Sequence, residues 1–256
     1  MKVTLNADLG EGFGPWTMGD DAALLPLIGS ASLACGFHAG DPATMLRVAK
    51  LAQAAGVSVG AHPGFDDLRG FGRRRIETDP AEIPAMLAYQ VGALSAVCAL
   101  VRHRVTHVKP HGALYTMACA DPALAGAVAG AVAGLNRTLI LVAPAGSALA
   151  VAAGRYGLRL AAEAFCDRGY EADGSLTPRG VAGAVIDDPS EAAARAVAMV
   201  RDQAVVTRQG KVLPTRIDTL CLHGDSPAAA AIARAVVAAL DEAGISRVSL
   251  PELNLG

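Results

Sequence analysis

The feature that most constrains this chain is a repeated alternation. Short β-like runs at residues 3–5, 32–34, 57–61, 106–108, 139–143, 158–163 and 219–222 each end in polar residues, with Ala-rich helical stretches between them. Strands that alternate with helices pair in parallel, because each helix returns the chain across the sheet. A further run at 247–250 offers an eighth strand. Seven or eight such units predict an α/β fold closed into a TIM-like (β/α) barrel, and 256 residues suits one such barrel. No linker or low-complexity tract divides the sequence, so residues 1–256 are expected to form a single barrel domain.

Local signals place the helices. Residues 44–55 run into Gly56, a C-cap. Asp79-Pro80 opens a helix reaching to about residue 102, and Asp121-Pro122 opens another, each as an N-cap followed by proline at the first helical position. Further helices are expected at 190–208 and 227–243, with a short one within 146–157. Two long loops, 63–79 and 166–178, follow the third and sixth strands, and loops of this length in a compact fold are often functional.

Composition excludes several functions. A net charge of −2 without a Lys/Arg run, and only 4% aromatic residues, argue against nucleic-acid binding. The uncharged stretches 122–136 and 138–154 fall short of the roughly 20 apolar residues a membrane-spanning helix needs. The N-terminus lacks a signal-peptide core. Five scattered cysteines without a C-x-x-C pair fit reduced, mostly buried thiols, so a cytoplasmic protein is expected. Walker A, dinucleotide-binding and G-x-S-x-G patterns are all absent.

Polar residues gather just after the strands: Asn6, Asp8 and Glu11; His38 and Asp41; His62; Lys109 and His111; Glu163, Asp167 and Arg168; His223 and Asp225. In a parallel barrel every strand ends at one mouth, so these distant residues converge on one pocket. A lone histidine after a strand usually anchors a loop; four of the six histidines placed this way beside acids favour acid–base chemistry on a carbonyl. His103 and His107 precede the fourth strand's end and read as structural. Asp8, His38 and His62 offer a carboxylate and two imidazoles to one divalent metal ion. Lys109, in an apolar setting, suits either a lowered pKa or a point charge for an anion. Arg69, Arg73, Arg74 and Arg75 in the 63–79 loop suit a carboxylate or phosphate if that loop closes as a lid.

Six blocks carry a resemblance: NADLGE from Asn6, ACGFHAGDP from Ala34, GAHP from Gly60, GFGRR from Gly70, VKPHGALY from Val108, and HGD from His223. Glu163-Ala164-Phe165, Asp167-Arg168, Tyr170, Asp173-Gly174 and Pro178-Arg179 lie in order between the last two. Over nearly its whole length the chain resembles the LamB/YcsF family. It departs in detail: Gly64-Phe65-Asp66-Asp67 lacks a proline common before the second Asp, Cys166 replaces a usual Ala, and Thr116 a usual Asn.

The resemblance implies a seven-stranded barrel of the glycoside hydrolase/deacetylase type. It implies one component of an ATP-dependent 5-oxoprolinase, which opens 5-oxo-L-proline to L-glutamate. ATP with Mg²⁺ would be the co-substrate, and two further subunits, B and C, the partners. With no nucleotide loop here, ATP is expected largely on a partner or a shared interface. The catalytic set implied is Asp8, Glu11, His38, His62, Lys109, His111, Glu163 and His223. The substrate-binding set is Asn6, Asp41, Arg73, Arg74, Tyr115, Asp167, Arg168 and Asp225. Two other readings stay open: a stand-alone metal-dependent deacetylase or amidohydrolase, marked by ATP-independent turnover, and a non-catalytic small-ligand-binding regulator, marked by binding without turnover.

Overall fold

The computed structural model describes residues 1–222 and 228–255. Its strands are β1 (Lys2–Leu9), β2 (Ser30–Ala34), β3 (Ser58–His62), β4 (Val105–Val108), β5 (Ile140–Ala143), β6 (Arg159–Phe165), β7 (Ala204–Val206), β8 (Val212–Pro214), β9 (Thr219–Leu222) and β10 (Ser246–Arg247). Its helices are α1 (Asp21–Leu24), α2 (Pro42–Ala55), α3 (Ile83–Leu100), α4 (Gly112–Ala120), α5 (Pro122–Leu135), α6 (Ala148–Arg155), α7 (Pro189–Asp202) and α8 (Ala229–Glu242).

β1 to β6 and β9 pair in parallel in that order, and β9 returns to pair with β1, closing a seven-stranded barrel. Every residue of β2, β3, β5 and β9 is buried. Helices cover the outer face of these strands and side chains fill the inner one, which removes the polar alternation of a half-exposed sheet. Inside, bulk on one strand is matched by its absence on the next. Gly60 pairs with His107 on β4, and a Cβ at Gly60 would overlap the His107 ring. The main core joins strand residues such as Leu5, Leu33 and Val59 to helical Leu87, Leu94, Val128 and Leu149.

The helix signals operate as local physics dictates. Asp41 caps α2, its Oδ1 accepting from the N–H groups of Ala43 (2.8 Å) and Thr44 (3.0 Å). Gly56 ends α2 in the left-handed region at φ 70°. Asp121 caps α5 in the same way, accepting from Ala123 and Leu124. Pro80–Leu100, a 3₁₀ turn running into α3, is long and apolar enough by length and composition to cross a membrane, and exceeds both uncharged stretches noted in the sequence. In this fold Ile83, Leu87, Leu94 and Cys98 on α3 are fully buried in the helical layer.

Several elements differ from expectation, among them the short α1, which lies outside the expected helices. The 247–250 run does not become an eighth barrel strand: only Ser246–Arg247 pairs, with the start of β1, and Pro251 lies in the 3₁₀ turn Leu250–Glu252 that follows. The helix expected at 190–208 stops at Asp202, where Gln203 turns left-handed at φ 47°. Val205 and Val206 then enter a β7–β8 hairpin, where β-branched side chains fit better. α4 has no counterpart among the expected helices; it precedes α5, and the two meet at a 116° bend.

Candidate active site at the barrel mouth

The C-terminal ends of the strands surround a cavity of about 540 Å³. It is lined by Asp8, Glu11, His62, Lys109, His111 and Tyr115, and by Arg73, Arg168 and Arg179 from the loops. Asn6 and Glu163 support the lining from behind, bonded to each other.

Lys109 is the centre of this arrangement and is 2% exposed. Its Nζ lies 2.8 Å from Glu163 Oε1 and 3.0 Å from Asp8 Oδ1. It also reaches Asn6 Oδ1 at 3.3 Å and Cys221 Sγ at 3.1 Å. Burial alone pushes a lysine pKa down, but Asp8, Cys221 and Glu163 outweigh it and hold this ammonium well above the usual range. The lowered pKa that its apolar sequence context allowed is therefore reversed: Lys109 is a fixed positive charge.

Glu163 is fully engaged. Oε1 takes Lys109 and the Asn6 amide (3.1 Å), and Oε2 accepts from the Tyr115 hydroxyl at 2.6 Å. Burial, then the Glu163 charge, keeps that phenol well above its ordinary pKa. Asn6 also donates to Thr219 Oγ1 at 2.8 Å, tying β1 to β9. Glu163 thus holds the network in place and does not line the cavity, whereas Asp8 and Glu11 do.

Beside this network lies a histidine cluster. His38 stacks on His111 with ring centroids 3.6 Å apart and planes within 4°. His62 stands edge-on to both. Glu11 Oε1 is 3.6 Å from His38 Nε2 and 3.7 Å from His111 Nδ1. Burial, then neighbouring His62, pushes the His111 pKa down to about 3. Burial, then His111 and His62, drives His38 well below its ordinary value. Both rings are neutral at physiological pH, the form in which imidazole binds metals. Glu11, His38, His62 and His111 each offer one ligand atom, all within 4.8 Å of one another, so this group could hold a metal ion. It shares His38 and His62 with the triad read from sequence, while Asp8 is turned to Lys109 and lies 3.4 Å from His62 Nε2.

The 63–79 loop closes over these histidines. Gly72 sits at φ 63°, and a Cβ there would come within 2.7 Å of His38 Cβ and 2.8 Å of His111 Cδ2. Phe71 beside it is a non-glycine residue at φ 55°, and its carbonyl accepts from His111 Nε2 at 2.8 Å. Such left-handed non-glycine positions concentrate at functional sites.

Other expected site residues lie elsewhere. Asp41 is spent on capping α2 and on the N–H of Gly14. Arg74 pairs with Asp67, and Arg75 with Glu77, away from the cavity lining. Asp167 is buried outside that lining. His223 and Asp225 lie outside the described residues. Arg179, Thr177, Phe165 and Cys221 join the site without having been singled out for it. Arg179 carried a signal, since it stands in the Pro178-Arg179 block of the resemblance.

The sequence model of the LamB/YcsF family matches residues 3–254. This chain belongs to the LamB/YcsF family. Among LamB/YcsF relatives, a protein of Rhodopseudomonas palustris (strain BisB5), named as the A subunit of 5-oxoprolinase, is 53% identical, covering 97% of this chain and 98% of its own. One of the same name from Methylococcus capsulatus is 51% identical, covering 97% and 95%. The crystal structure of a lactam utilization protein from Thermus thermophilus superposes with a TM-score of 0.93 at 47% identity, covering 98% of this chain and all of that one. A T48 deacetylase, 12% identical with a TM-score of 0.50 and 98% of this chain covered against 88% of its own, shares the fold alone.

Proposed function

We propose that this chain is the A subunit of a 5-oxoprolinase and opens the lactam ring of 5-oxo-L-proline to L-glutamate. The observation that carries this is the end-to-end match to relatives of that name at about half identity. In the reaction one water adds across the ring C–N bond. The carbonyl carbon becomes the side-chain carboxylate, and the nitrogen leaves as the amine.

The cavity suits a small anionic lactam. Arg73, Arg168 and Arg179 supply the charge that a substrate carboxylate needs. Asp8 and Glu11 line the same space and are the carboxylates placed to orient or deprotonate water. Lys109 positions Asp8 and holds a fixed positive charge at the cavity wall, which favours the anionic phosphorylated ring species. Asn6, Tyr115 and Glu163 keep Lys109 in place. A ring amide is a poor electrophile, and ATP with Mg²⁺ supplies the activation: the amide oxygen takes the γ-phosphoryl group as ADP leaves, water adds at that carbon as the C–N bond breaks, and a second water releases inorganic phosphate from the resulting acyl phosphate. The sequence carries no Walker A pattern, so we assign most nucleotide contacts to subunits B and C or to their interface with this chain. A cytoplasmic location fits the five free thiols.

The test is glutamate release from 5-oxo-L-proline and Mg-ATP by this protein alone, by subunits B and C together, and by all three. Glutamate is expected from the complete mixture only. An assembled complex that consumes no 5-oxoproline would overturn the assignment. ATP-independent hydrolysis of an acetylated or cyclic amide by this chain alone would favour the deacetylase reading instead.

A further inference from the structure

We propose that the cavity floor is a binding site for one divalent transition-metal ion of the zinc class, held by His38, His62, His111 and Glu11. Hydrogen bonds on the far side of the rings carry the first part of the case. His62 Nδ1 lies 2.7 Å from the Lys109 carbonyl, and His111 Nε2 lies 2.8 Å from the Phe71 carbonyl. A carbonyl oxygen only accepts, so these two nitrogens bear the protons. The remaining nitrogens, His62 Nε2 and His111 Nδ1, then present lone pairs to each other across 2.9 Å. Two lone pairs at that distance repel, and a cation between them turns the repulsion into two bonds. Donation of the outer N–H to a backbone carbonyl is also how proteins orient metal-ligating imidazoles.

His38 carries the second part independently. Its side chain is fully buried, and neither ring nitrogen has a hydrogen-bond partner. Burying a polar ring unsatisfied is costly unless something else meets it. Its Nε2 faces Glu11 Oε1 at 3.6 Å, and the same oxygen is 3.7 Å from His111 Nδ1. Ligand atoms each about 2.0–2.1 Å from one zinc ion stand roughly 3.0–3.4 Å apart. Three of the six pairwise distances, 2.9, 3.6 and 3.7 Å, bracket that spacing and the remaining pairs lie within 4.8 Å, so the four groups need side-chain shifts of about 1 Å to share one ion.

Three imidazoles and one carboxylate suit Zn²⁺, Co²⁺ or Mn²⁺ better than Mg²⁺ or Ca²⁺, which favour all-oxygen sites. Glu11, His62 and His111 line the cavity while His38 lies beneath them. An ion here would face the cavity, and because four protein ligands fill a tetrahedral shell, a small ligand would join it as a fifth ligand or by displacing Glu11. Binding stands on this geometry alone. Its use, polarising a ring carbonyl or activating water, rests on the lactam reading above.

The competing occupant of the 2.9 Å gap is a proton, which would make one ring an imidazolium. The experiment therefore reads metal directly. The full chain, stripped with a chelator, is titrated with Zn²⁺ against a chromogenic competitor and, separately, with Co²⁺ followed by visible absorption. We expect about one ion per chain, ligand-field bands with cobalt, and a loss of affinity of at least roughly 100-fold in His111→Asn and Glu11→Gln. Circular dichroism checks each variant's fold; His62→Gln takes the place of any that fails. Substoichiometric binding of Zn²⁺, Co²⁺ and Mn²⁺ at micromolar concentrations, or unchanged affinity in the folded variants, overturns the site. Glutamate formation is then measured in the stripped and reloaded three-subunit complex. Tight binding by a complex inactive on 5-oxoproline would overturn the lactam reading and leave the metal site standing.

Discussion

Lys109 shows how one residue type can be put to opposite uses by its neighbours. A lysine buried alone loses its charge; this one, between Asp8 and Glu163, keeps it. It therefore does not titrate near neutral pH and serves as a fixed cation. Lys109→Met should leave two carboxylates without their partner and destabilise the fold by about 3–5 kcal/mol, read as a shift in the urea midpoint. Adding Glu163→Gln should recover part of that loss, because the double variant buries less unpaired charge. Equal stabilities of Lys109→Met and the parent would show that water, not Lys109, neutralises the pair. The same residue-scale logic explains Asp41 and Arg74. Both have the sequence position of mouth residues, yet each is satisfied locally, by a helix N-terminus and by Asp67. Asp41 carried the warning in its sequence: Asp41-Pro42 has the same cap signature as Asp79-Pro80 and Asp121-Pro122.

Elements are legible where their chemistry is local. Buried parallel strands are short apolar runs, and Asp-Pro pairs open four of the helical segments, α2, α3, α5 and α7, so the seven barrel strands and many helix starts can be read from sequence. α4 hides because Gly112–Ala120 follows His111 with no side-chain cap and has no charged residue to mark an outer face. α7 ends short of residue 208 without warning because Gln203, where the chain turns, carries no glycine signal. The site follows the same rule. Strand-end residues such as Asp8, His62 and Lys109 converge by topology, while Arg179 arrives through a loop conformation that no periodicity encodes. The 63–79 loop depends on Gly72, whose backbone is left-handed and whose missing Cβ makes room for His38 and His111. Gly72→Ala should lower turnover of the proposed three-subunit complex at least roughly tenfold by displacing those rings. The rest of the barrel should lose only about 1–2 kcal/mol. Wild-type turnover in that variant would mean that the loop adapts and does not set the histidine geometry.

At the scale of the whole molecule, the barrel interior couples stability to pH through His107. Its ring is fully buried on β4, filling the space left by Gly60. Burial first, then the Lys109 charge and neighbouring His62, pushes its pKa down to about 3, while a backbone hydrogen bond with Ala31 and then Asp8 oppose them. The unfolded chain holds an ordinary histidine near pKa 6.5. Between pH 6.5 and pH 3 the unfolded state therefore binds a proton that the native state refuses. Stability from this residue is complete above pH 6.5 and declines as pH falls toward 3. At pH 5 the loss is about 2 kcal/mol, from a gap of about 1.5 pH units at about 1.4 kcal/mol each. Urea unfolding at pH 7 and pH 5 measures it, with His107→Asn as the non-titrating comparison and His107→Gln should the first not fold. The variant should lose about 2 kcal/mol less than the parent between the two pH values, whatever its absolute stability. Identical losses would mean that a proton reaches His107 in the folded barrel, and that the interior beneath the mouth is wet enough to solvate an imidazolium.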